Sequence, residues 1–238
     1  MDRLLEGCYG DRPWSPRFPT LLDGLVHTVL SQNTSDVNSH RAFGDLKRRF
    51  PDWEEAAAAT VSEIEEAIRS GGISHVKAAR IKDILETARL RSGSYSLEFL
   101  GVMGPEEALA YLLGLPGVGR KTAAVLLLFQ LGHPFFPVDT HILRVGKRLG
   151  LIPAGASADK AHDIMDAAVP DDIKFRLHLN LIEHGRKVCG ARKPLCPVCC
   201  LKEICPRVGV GGECGEAQEA VRGRGREARP AMERKGRC

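Results

Sequence analysis

The sequence predicts an all-α protein, and three observations support this fold class. Apolar residues recur at three- and four-residue spacing along most of the chain. Period-two alternation, which would indicate half-buried strands, is rare, and no strand pair or internal repeat stands out. Capping residues and helix breakers divide the periodic segments into lengths typical of globular helices. With 238 residues and 43% apolar content, the chain can bury a sizeable core in one or two domains.

The helices predicted in the first half of the chain have clear starts and ends. Three of them cover residues 21–30, 36–50 and 76–90. Pro51 ends the second, since proline cannot continue a helix. The segment Thr60-Val61-Ser62-Glu63 has the form of a capping box that opens a further helix, which Gly71-Gly72 should stop.

The second half of the chain continues the helical pattern. Pro105 suits the first turn of a helix that runs to Leu113, and residues 120–131 are apolar enough to form a buried helix. Asp139 is suited to N-cap a helix that extends to Leu149. Two further helices are predicted over 158–169 and 173–186.

The composition argues against a membrane or secreted protein. The longest unbroken apolar run, residues 123–129, is far shorter than the roughly 20 residues of a membrane span. Asp2 and Glu6 lie where a signal peptide would have a basic stretch followed by an apolar one. We therefore expect a soluble intracellular protein without a membrane partner.

The formal charge of +4 is unevenly distributed along the chain. Residues 207–238 carry eight basic and five acidic side chains and almost no large apolar residue, so we expect this Gly/Arg/Glu-rich tail to be disordered. The remainder is nearly neutral but contains local basic clusters, such as Arg186-Lys187 and Arg192-Lys193. These clusters are either phosphate contacts or solvated helix faces.

Four of the eight cysteines are concentrated in one short segment. The segment has the pattern Cys189-x6-Cys196-x2-Cys199-x5-Cys205. Thiolates at this density indicate a metal site, and four of them suit either a 4Fe-4S cluster or zinc. The pattern assigns no role to the other cysteines, which are Cys8, Cys200, Cys214 and Cys238.

A glycine-containing loop separates two predicted helices at Leu115-Pro116-Gly117-Val118-Gly119. Its glycines allow a tight turn, and a phosphate could sit at the N-terminus of the next helix, where unpaired N–H groups favour an anion. The alternative is an ordinary helix connection. The loop alone does not decide between them.

Taken together, these motifs resemble the endonuclease III family of DNA glycosylases. The segment from Leu115 to Ala123 is similar to the helix-hairpin-helix of that family, including a lysine at Lys121, and Val138-Asp139-Thr140-His141 is similar to its second hallmark. The cysteine spacing matches the 4Fe-4S loop of the family, which favours iron-sulfur over zinc. The resemblance extends from about Thr20 to Arg207.

The resemblance implies a fold of two helical domains with DNA in the cleft between them. Residues 21–137 would form the domain with the hairpin, and residues 1–20 with 138–206 would form the domain that carries the cluster. Lys121 would be the nucleophile that forms a Schiff base with the sugar, and Asp139 its electrostatic and acid–base partner. Without the family, a phosphate-contacting lysine and a simple N-cap would be the better interpretations of these two residues.

A base extruded from the duplex leaves a gap that the enzyme must fill. By resemblance, segments around Gln32 and Ile73 carry the filling residues, with Asn33 where the family typically has a glutamine wedge and Ala124 where it commonly has asparagine. The residues expected to contact DNA are Gln32, Asn33, Ile73, Leu115, Gly117, Val118, Gly119, Thr122, His141, Arg144, Arg186, Lys187 and Lys193.

The function implied by the resemblance is base-excision repair of double-stranded DNA that contains oxidised pyrimidines or abasic sites, with strand nicking by β-elimination. We expect a monomer located in the cytoplasm of a prokaryote. Two alternatives stay open at this stage. The first is an adenine or mismatch-specific glycosylase of the same superfamily, although adenine glycosylases usually lack a lysine at the position of Lys121 and carry an extra C-terminal recognition domain. A non-catalytic DNA-binding module would need neither Lys121 nor Asp139.

Overall fold

The structure is a computed structural model that describes residues 1–211. Within this range the regular elements are helical and no strand is found, which confirms the all-α class. The α-helices are α1 (Asp2–Tyr9), α2 (Leu21–Ser31), α3 (Asp36–Arg49), α4 (Trp53–Ala58), α5 (Val61–Ala67), α6 (Ser74–Ser92), α7 (Pro105–Leu113), α8 (Arg120–Leu126), α9 (Thr140–Arg148), α10 (Ala158–Ala168) and α11 (Lys174–Lys187). Short 3-10 turns lie at Arg69–Gly71, Glu98–Val102, Asp171–Ile173 and Cys196–Val198.

The helix starts follow local chemistry that is visible in the sequence. Thr60 and Glu63 form the predicted capping box, and Pro105 occupies the first turn of α7. The predicted helix over 120–131 differs in its second half, where α8 gives way to a π-helical turn at Leu127–Leu131. Such widened turns are frequent at functional sites.

Two hydrophobic clusters divide the described chain. The first contains buried residues between Leu21 and Phe135, and the second contains Leu5 together with buried residues between Phe136 and Leu201. We propose that these clusters are the cores of two domains that meet near residue 136.

Helix α1 belongs to the second cluster, although it lies at the opposite end of the sequence from α11. Arg176 forms an ion pair with Asp2, with 2.6 Å between Nη2 and Oδ2, and the Tyr9 hydroxyl lies 2.9 Å from Nδ1 of His184. Neither α1 nor α4 was predicted from the sequence. For α1 the reason is that its stabilising partners are remote in the chain and it has no side-chain N-cap.

The segment between α1 and α2 crosses from one cluster to the other and is held by Gln130. The Gln130 Oε1 accepts hydrogen bonds from the backbone N–H groups of Arg17 and Phe18, and Nε2 donates to the carbonyls of Phe18 and Thr20. All the polar atoms of this buried amide are therefore used. The arrangement fixes Arg17 and Phe18 beside the π-helical turn at Leu127–Leu131.

Within residues 1–211, the helices are too short or too polar to cross a membrane. Of the tail predicted over 207–238, only residues 207–211 belong to the described part of the chain. The expectation of disorder for 212–238, and with it Cys214 and Cys238, lies outside the described residues.

Candidate active site

A cleft lies between the two hydrophobic clusters, and both residues predicted to be catalytic line it. The cleft has a volume of about 550 Å³, and Lys121 and Asp139 belong to its walls. This volume lies within the roughly 300–1,000 Å³ of an ordinary small-molecule pocket. The cleft therefore has room for a nucleotide that has left the DNA stack.

Lys121 is exposed in the first turn of α8, directly after the hairpin loop. In that loop Leu115 and Val118 are buried, whereas Gly117 and Gly119 are exposed. Gly117 has a φ of 70°, and a Cβ there would lie 2.9 Å from Cδ of Arg80. A side chain at this position would be strained and Arg80 would have to shift, so the turn that presents Lys121 favours glycine.

Asp139 is the N-cap of α9, as predicted. Its Oδ1 accepts a hydrogen bond from the backbone N–H of Ile142 at 2.8 Å, which fixes the carboxylate at the helix start. Beside it lies His178, which is buried and has Nδ1 3.0 Å from the carbonyl of Pro137. Burial lowers the pKa of His178 to about 4, although the Asp139 carboxylate acts in the opposite direction. The neutral imidazole leaves Asp139 without a cationic neighbour at this position.

The loops predicted to fill the gap in the duplex lie side by side. Asn33 and Ile73 are exposed, and both have left-handed backbone conformations, with φ values of 53° and 48°. Such a conformation is tolerated by asparagine but is strained for a β-branched residue. Between the loops, the buried Lys77 donates hydrogen bonds to the carbonyls of Leu30 and Gly71. One side chain therefore connects both loops.

Gln32 and Thr122 make a contact within the protein that the sequence did not indicate. Gln32 Nε2 donates to Thr122 Oγ1 at 3.1 Å, and its Oε1 accepts from Arg80 Nη1 at 2.8 Å. Thr122 is only 6% exposed. The predicted DNA contacts of Gln32 and Thr122 stay predictions, but the structure uses both side chains to connect the Asn33 loop with the helix that carries Lys121.

The basic residues predicted to meet phosphates fall into two groups. Arg144 donates to the carbonyls of Gly185 and Cys189, and its Nη2 lies 3.1 Å from His141 Nδ1. Arg144 and His141 therefore make contacts within the protein that fix the end of α11 and the start of the cysteine segment. By contrast, Arg186, Lys187 and Lys193 are exposed. Arg186 forms an ion pair with Asp36, and Lys187 forms one with Glu183.

The four cysteines predicted as ligands line one cavity. Its walls include Cys189, Cys196, Cys199 and Cys205 together with apolar side chains. Polar groups also reach the sulfur atoms, since Arg148 Nη1 lies 3.2 Å from Cys189 Sγ and the Leu201 N–H donates to Cys199 Sγ at 3.3 Å. Within the described residues, no group of three His, Cys, Asp or Glu side chains is close enough together to hold a single ion.

Three residues of the cleft were missed in the sequence. Arg17, His27 and His40 line it together with Lys121 and Asp139. His27 is one of a few polar residues in the mostly apolar sequence of α2, and this is a weak local signal. Arg17 and His40 could not be found in this way, because they enter the cleft through contacts between distant segments.

Comparison with known proteins shows the family. A model of the HhH-GPD superfamily of base excision DNA repair proteins matches residues 26–170, which include the hairpin, Lys121 and Asp139. Endonuclease III of Synechocystis is 36% identical over 209 residues, covering 85% of this chain and 89% of that protein. Endonuclease III of Thermotoga maritima is 33% identical over 181 residues, covering 76% and 80%. The chain belongs to the endonuclease III family. It is therefore a base-excision DNA glycosylase.

Solved structures of endonuclease III agree with this assignment. A trapped covalent intermediate of endonuclease III with DNA has a TM-score of 0.73 and 27% identity, covering 87% of this chain and 92% of that one. A non-covalent complex of endonuclease III with DNA gives the same values. The fold is thus that of proteins that bind DNA.

Members of the endonuclease III family and related proteins occur beyond prokaryotes. A putative DNA glycosylase of Arabidopsis thaliana is 40% identical over 195 residues, covering 80% of this chain. The chain spans 66% of the length of that plant protein. Since relatives come from bacteria and a plant, the expectation of a prokaryotic source has no support in these similarities.

Proposed function

We propose that the chain is a bifunctional DNA glycosylase and abasic-site lyase that removes oxidised pyrimidines from double-stranded DNA. The observation that carries the proposal is that Lys121 and Asp139 line the same cleft, each at the start of a helix. An amine and a carboxylate in one cleft provide the nucleophile and the charge partner that glycosidic cleavage requires. A monomer is sufficient, because one chain supplies both walls.

In the proposed reaction, the neutral amine of Lys121 attacks the anomeric carbon of the extruded nucleotide, and the bond to the base breaks. The departing base takes the bonding electron pair and then a proton from solvent water. The Asp139 carboxylate stabilises the positive charge that develops on the sugar, and it accepts a proton from the attacking amine. The ring oxygen takes this proton from Asp139 as the sugar opens to a protonated Schiff base. Loss of a proton from the adjacent carbon to solvent then expels the 3′ phosphate, and hydrolysis of the Schiff base by water releases Lys121.

The contacts to DNA would come from three parts of the protein. The loops with Asn33 and Ile73 would enter the gap that the extruded base leaves, since both residues are exposed at adjacent loop tips. The hairpin at Gly117 and Gly119 would hold a phosphate at the start of α8, where no side chain caps the helix. Lys193 and its basic neighbours would add non-specific phosphate contacts.

We also propose that the cysteine cavity holds a 4Fe-4S cluster. The cysteines surround one apolar cavity. Four thiolates suit either a 4Fe-4S cluster or zinc, and the spacing of these four residues, which resembles the cluster loop of the family, favours the cluster. When bound, the cluster would crosslink the loop that carries Arg192 and Lys193.

Metal analysis tests the cluster proposal directly. Protein purified anaerobically should contain about four irons with matching sulfide and should be brown. Cys196→Ser should lower the iron content and destabilise the C-terminal part, because metal binding supplies folding energy. Cys8→Ser, which changes a cysteine outside the pattern, is the matched control and should keep its iron. Stoichiometric zinc in the wild type would refute the proposal.

Borohydride trapping tests the catalytic proposal. With lesion-containing duplex, the wild type should form a covalent adduct through Lys121, because reduction converts the Schiff base into a stable amine. Lys121→Gln should abolish trapping and nicking with little loss of DNA binding. Asp139→Asn should suppress catalysis without weakening binding. The control is Lys160→Gln, which changes an exposed lysine outside the cleft and should trap normally.

Two outcomes would change the assignment. Undiminished trapping by Lys121→Gln would identify another amine as the nucleophile. Base release by the wild type without any trapping would make the protein a monofunctional glycosylase. A lesion panel that includes adenine opposite oxoguanine, uracil, thymine glycol and dihydrouracil separates the pyrimidine-specific function from an adenine or mismatch-specific one. If the protein bound DNA but released no base from any lesion, it would be a non-catalytic DNA-binding module.

A further inference from the structure

Asp166 lies on α10 and uses both of its carboxylate oxygens to hold other parts of the chain. Its Oδ1 accepts a hydrogen bond from the backbone N–H of Phe136, and its Oδ2 lies 3.5 Å from Nη2 of Arg120. The Asp166 side chain is 22% exposed, so both contacts are partly shielded from solvent. One carboxylate therefore connects two segments, which lie 30 and 46 residues before it in the sequence.

Each of these two segments carries a residue that we propose for catalysis. Arg120 is the first residue of α8 and directly precedes Lys121. Phe136 is fully buried, and the chain continues from it through Val138 to Asp139, the N-cap of α9. Helix α8 contributes to the first hydrophobic cluster, whereas α10 and Phe136 contribute to the second. The contact between Arg120 and Asp166 thus joins the two clusters next to Lys121.

A second residue of α10 contacts the segment that leads to Asp139. His162 is 2% exposed, and its Nδ1 lies 3.3 Å from the backbone N of Val138 and 3.2 Å from the carbonyl oxygen of Phe136. The segment before Asp139 is therefore fixed to α10 at more than one point. Asp166 extends this connection from α10 to the start of α8.

Arg120 has another partner on α10, but that contact is more exposed. Nη1 of Arg120 lies 2.6 Å from Oδ1 of Asp163, whose side chain is 49% exposed. Exposed ion pairs stabilise little, because solvent screens the charges and two long side chains have to be ordered. Asp166, by contrast, accepts a hydrogen bond from a buried backbone N–H, which fixes the orientation of its carboxylate.

Catalysis by an amine and a carboxylate depends on their relative position. Lys121 and Asp139 lie at the starts of two different helices. A misplacement of about 1 Å costs about a hundredfold in rate, even where the substitution that causes it is remote from the substrate. The residues that hold the starts of α8 and α9 relative to each other therefore affect the rate of the reaction.

We propose that Asp166 is a positioning residue that sets the placement of Lys121 relative to Asp139, by holding Arg120 and the backbone of Phe136 with one carboxylate. This inference rests on the proposed function, because Asp166 acts through the two residues proposed for catalysis. Asp166 does not line the cleft, so it takes no part in bond breaking or proton transfer.

The test is the single-turnover rate of borohydride trapping on an abasic duplex, because this rate depends on where Lys121 lies relative to the sugar. Asp166→Ala should slow trapping by between about tenfold and a hundredfold. Its affinity for a tetrahydrofuran-containing duplex should change by less than about threefold, since no phosphate contact is lost. The variant should also be less stable in urea, because the buried Phe136 N–H loses its acceptor.

Asp166→Asn separates positioning from stability. Its amide oxygen still accepts from the Phe136 N–H, so the urea midpoint should stay near that of the wild type. The amide nitrogen then faces Arg120, a donor opposite a donor, so trapping should still be slowed by about tenfold. In an Arg120→Met background the same substitution should have little further effect, because the partner that it acts through is absent.

Two control variants lie on the same helix. Ser157 is the N-cap of α10 and accepts from the Lys160 N–H at 3.2 Å. Ser157→Ala should lower the urea midpoint, yet it should trap within about twofold of the wild type, because the loss of a cap leaves Asp166 in place. Asp163→Asn, which removes the exposed ion pair with Arg120, should trap within about threefold.

The possible failures are distinguishable. Trapping by Asp166→Asn at the wild-type rate, or an effect that persists undiminished in Arg120→Met, would overturn this inference and leave the proposed function intact. Equal slowing by Ser157→Ala would indicate that stability alone sets the rate, and equal slowing by Asp163→Asn that Asp166 has no special part; each result contradicts the inference. A wild type that forms no adduct, or undiminished trapping by Lys121→Gln, would overturn the proposed function and this inference together.

Discussion

Replacing Lys77 by methionine tests how the two exposed loops are held together. Lys77 is 2% exposed, and its ammonium donates to the Leu30 carbonyl at 2.6 Å, to Thr34 Oγ1 at 2.6 Å and to the Gly71 carbonyl at 2.8 Å. Burial and the nearby Arg80 lower the pKa of Lys77. The three acceptors are neutral, so hydrogen bonding alone compensates for the buried charge.

The expected loss of stability follows from what methionine leaves behind. Thr34 Oγ1 also donates to the Gly71 carbonyl at 2.5 Å, so that carbonyl keeps a partner. The Leu30 carbonyl loses its donor, at a cost of about 1–3 kcal/mol for a buried acceptor. Methionine also removes the desolvation cost of a buried ammonium, which offsets part of the stability lost with the charge-assisted hydrogen bonds. We therefore expect Lys77→Met to lower the free energy of unfolding by about 2–3 kcal/mol.

Urea unfolding followed by circular dichroism measures this loss, with Lys160→Met as the control. The Lys160 side chain is 66% exposed and lies 4.0 Å from Asp163, so its loss should change the free energy of unfolding by less than about 0.5 kcal/mol. Lys77→Met should also lower base release from duplex DNA more than binding to an abasic analogue, because both loops lose a common anchor. A loss of stability no larger than that of the control would refute this account of Lys77.

Two further predictions concern the strained loop and the buried histidine. Ile73→Asn should raise the free energy of unfolding by about 1 kcal/mol, because asparagine tolerates the left-handed backbone that strains isoleucine. The same variant should release bases from duplex DNA more slowly, because the apolar tip of the loop is lost. Urea titrations and glycosylase assays measure the two effects, and an unchanged free energy of unfolding would contradict the strain argument. For His27, burial holds the folded pKa at about 4, below the unfolded value near 6.5, so its contribution to stability is present above pH 6.5 and is lost as the pH falls toward 4. Between pH 6.5 and pH 4, the free energy of unfolding of His27→Leu should therefore fall by up to about 3 kcal/mol less than that of the wild type. Urea unfolding at several pH values measures this, and parallel plots of unfolding free energy against pH for the two proteins would contradict the expectation.

The parts of the fold that the sequence could predict are those determined by neighbouring residues. The capping box at Thr60 and Glu63, the proline at the start of α7 and the N-cap at Asp139 act within one helical turn, so a short segment contains all the information. Helix α1 depends instead on ion pairs and packing with α11. Its sequence carries no local signal strong enough to indicate this partner.

The same distinction applies to the candidate site. Lys121 and Asp139 were found because each lies in a motif of consecutive residues. The contacts of Lys77 and the burial of His27 depend on which atoms surround them in space, and no spacing rule contains that information. For Gln32, the sequence motif predicted a contact with DNA, whereas the structure shows a hydrogen bond to Thr122 that no motif indicates. Its contact with DNA stays a prediction.

The pairing of α1 with α11 affects how the protein is made. Asp2 and Arg176 are 174 residues apart, and a ribosome adds roughly 5–20 residues per second, so α1 waits for about 10–35 s before its partner exists. During this time the first hydrophobic cluster can form, but the wall of the cleft that contains His178 is absent. A nascent chain therefore carries Lys121 without a closed cleft. The cleft is complete only after synthesis of α11, so the site that we propose for catalysis forms at the end of translation.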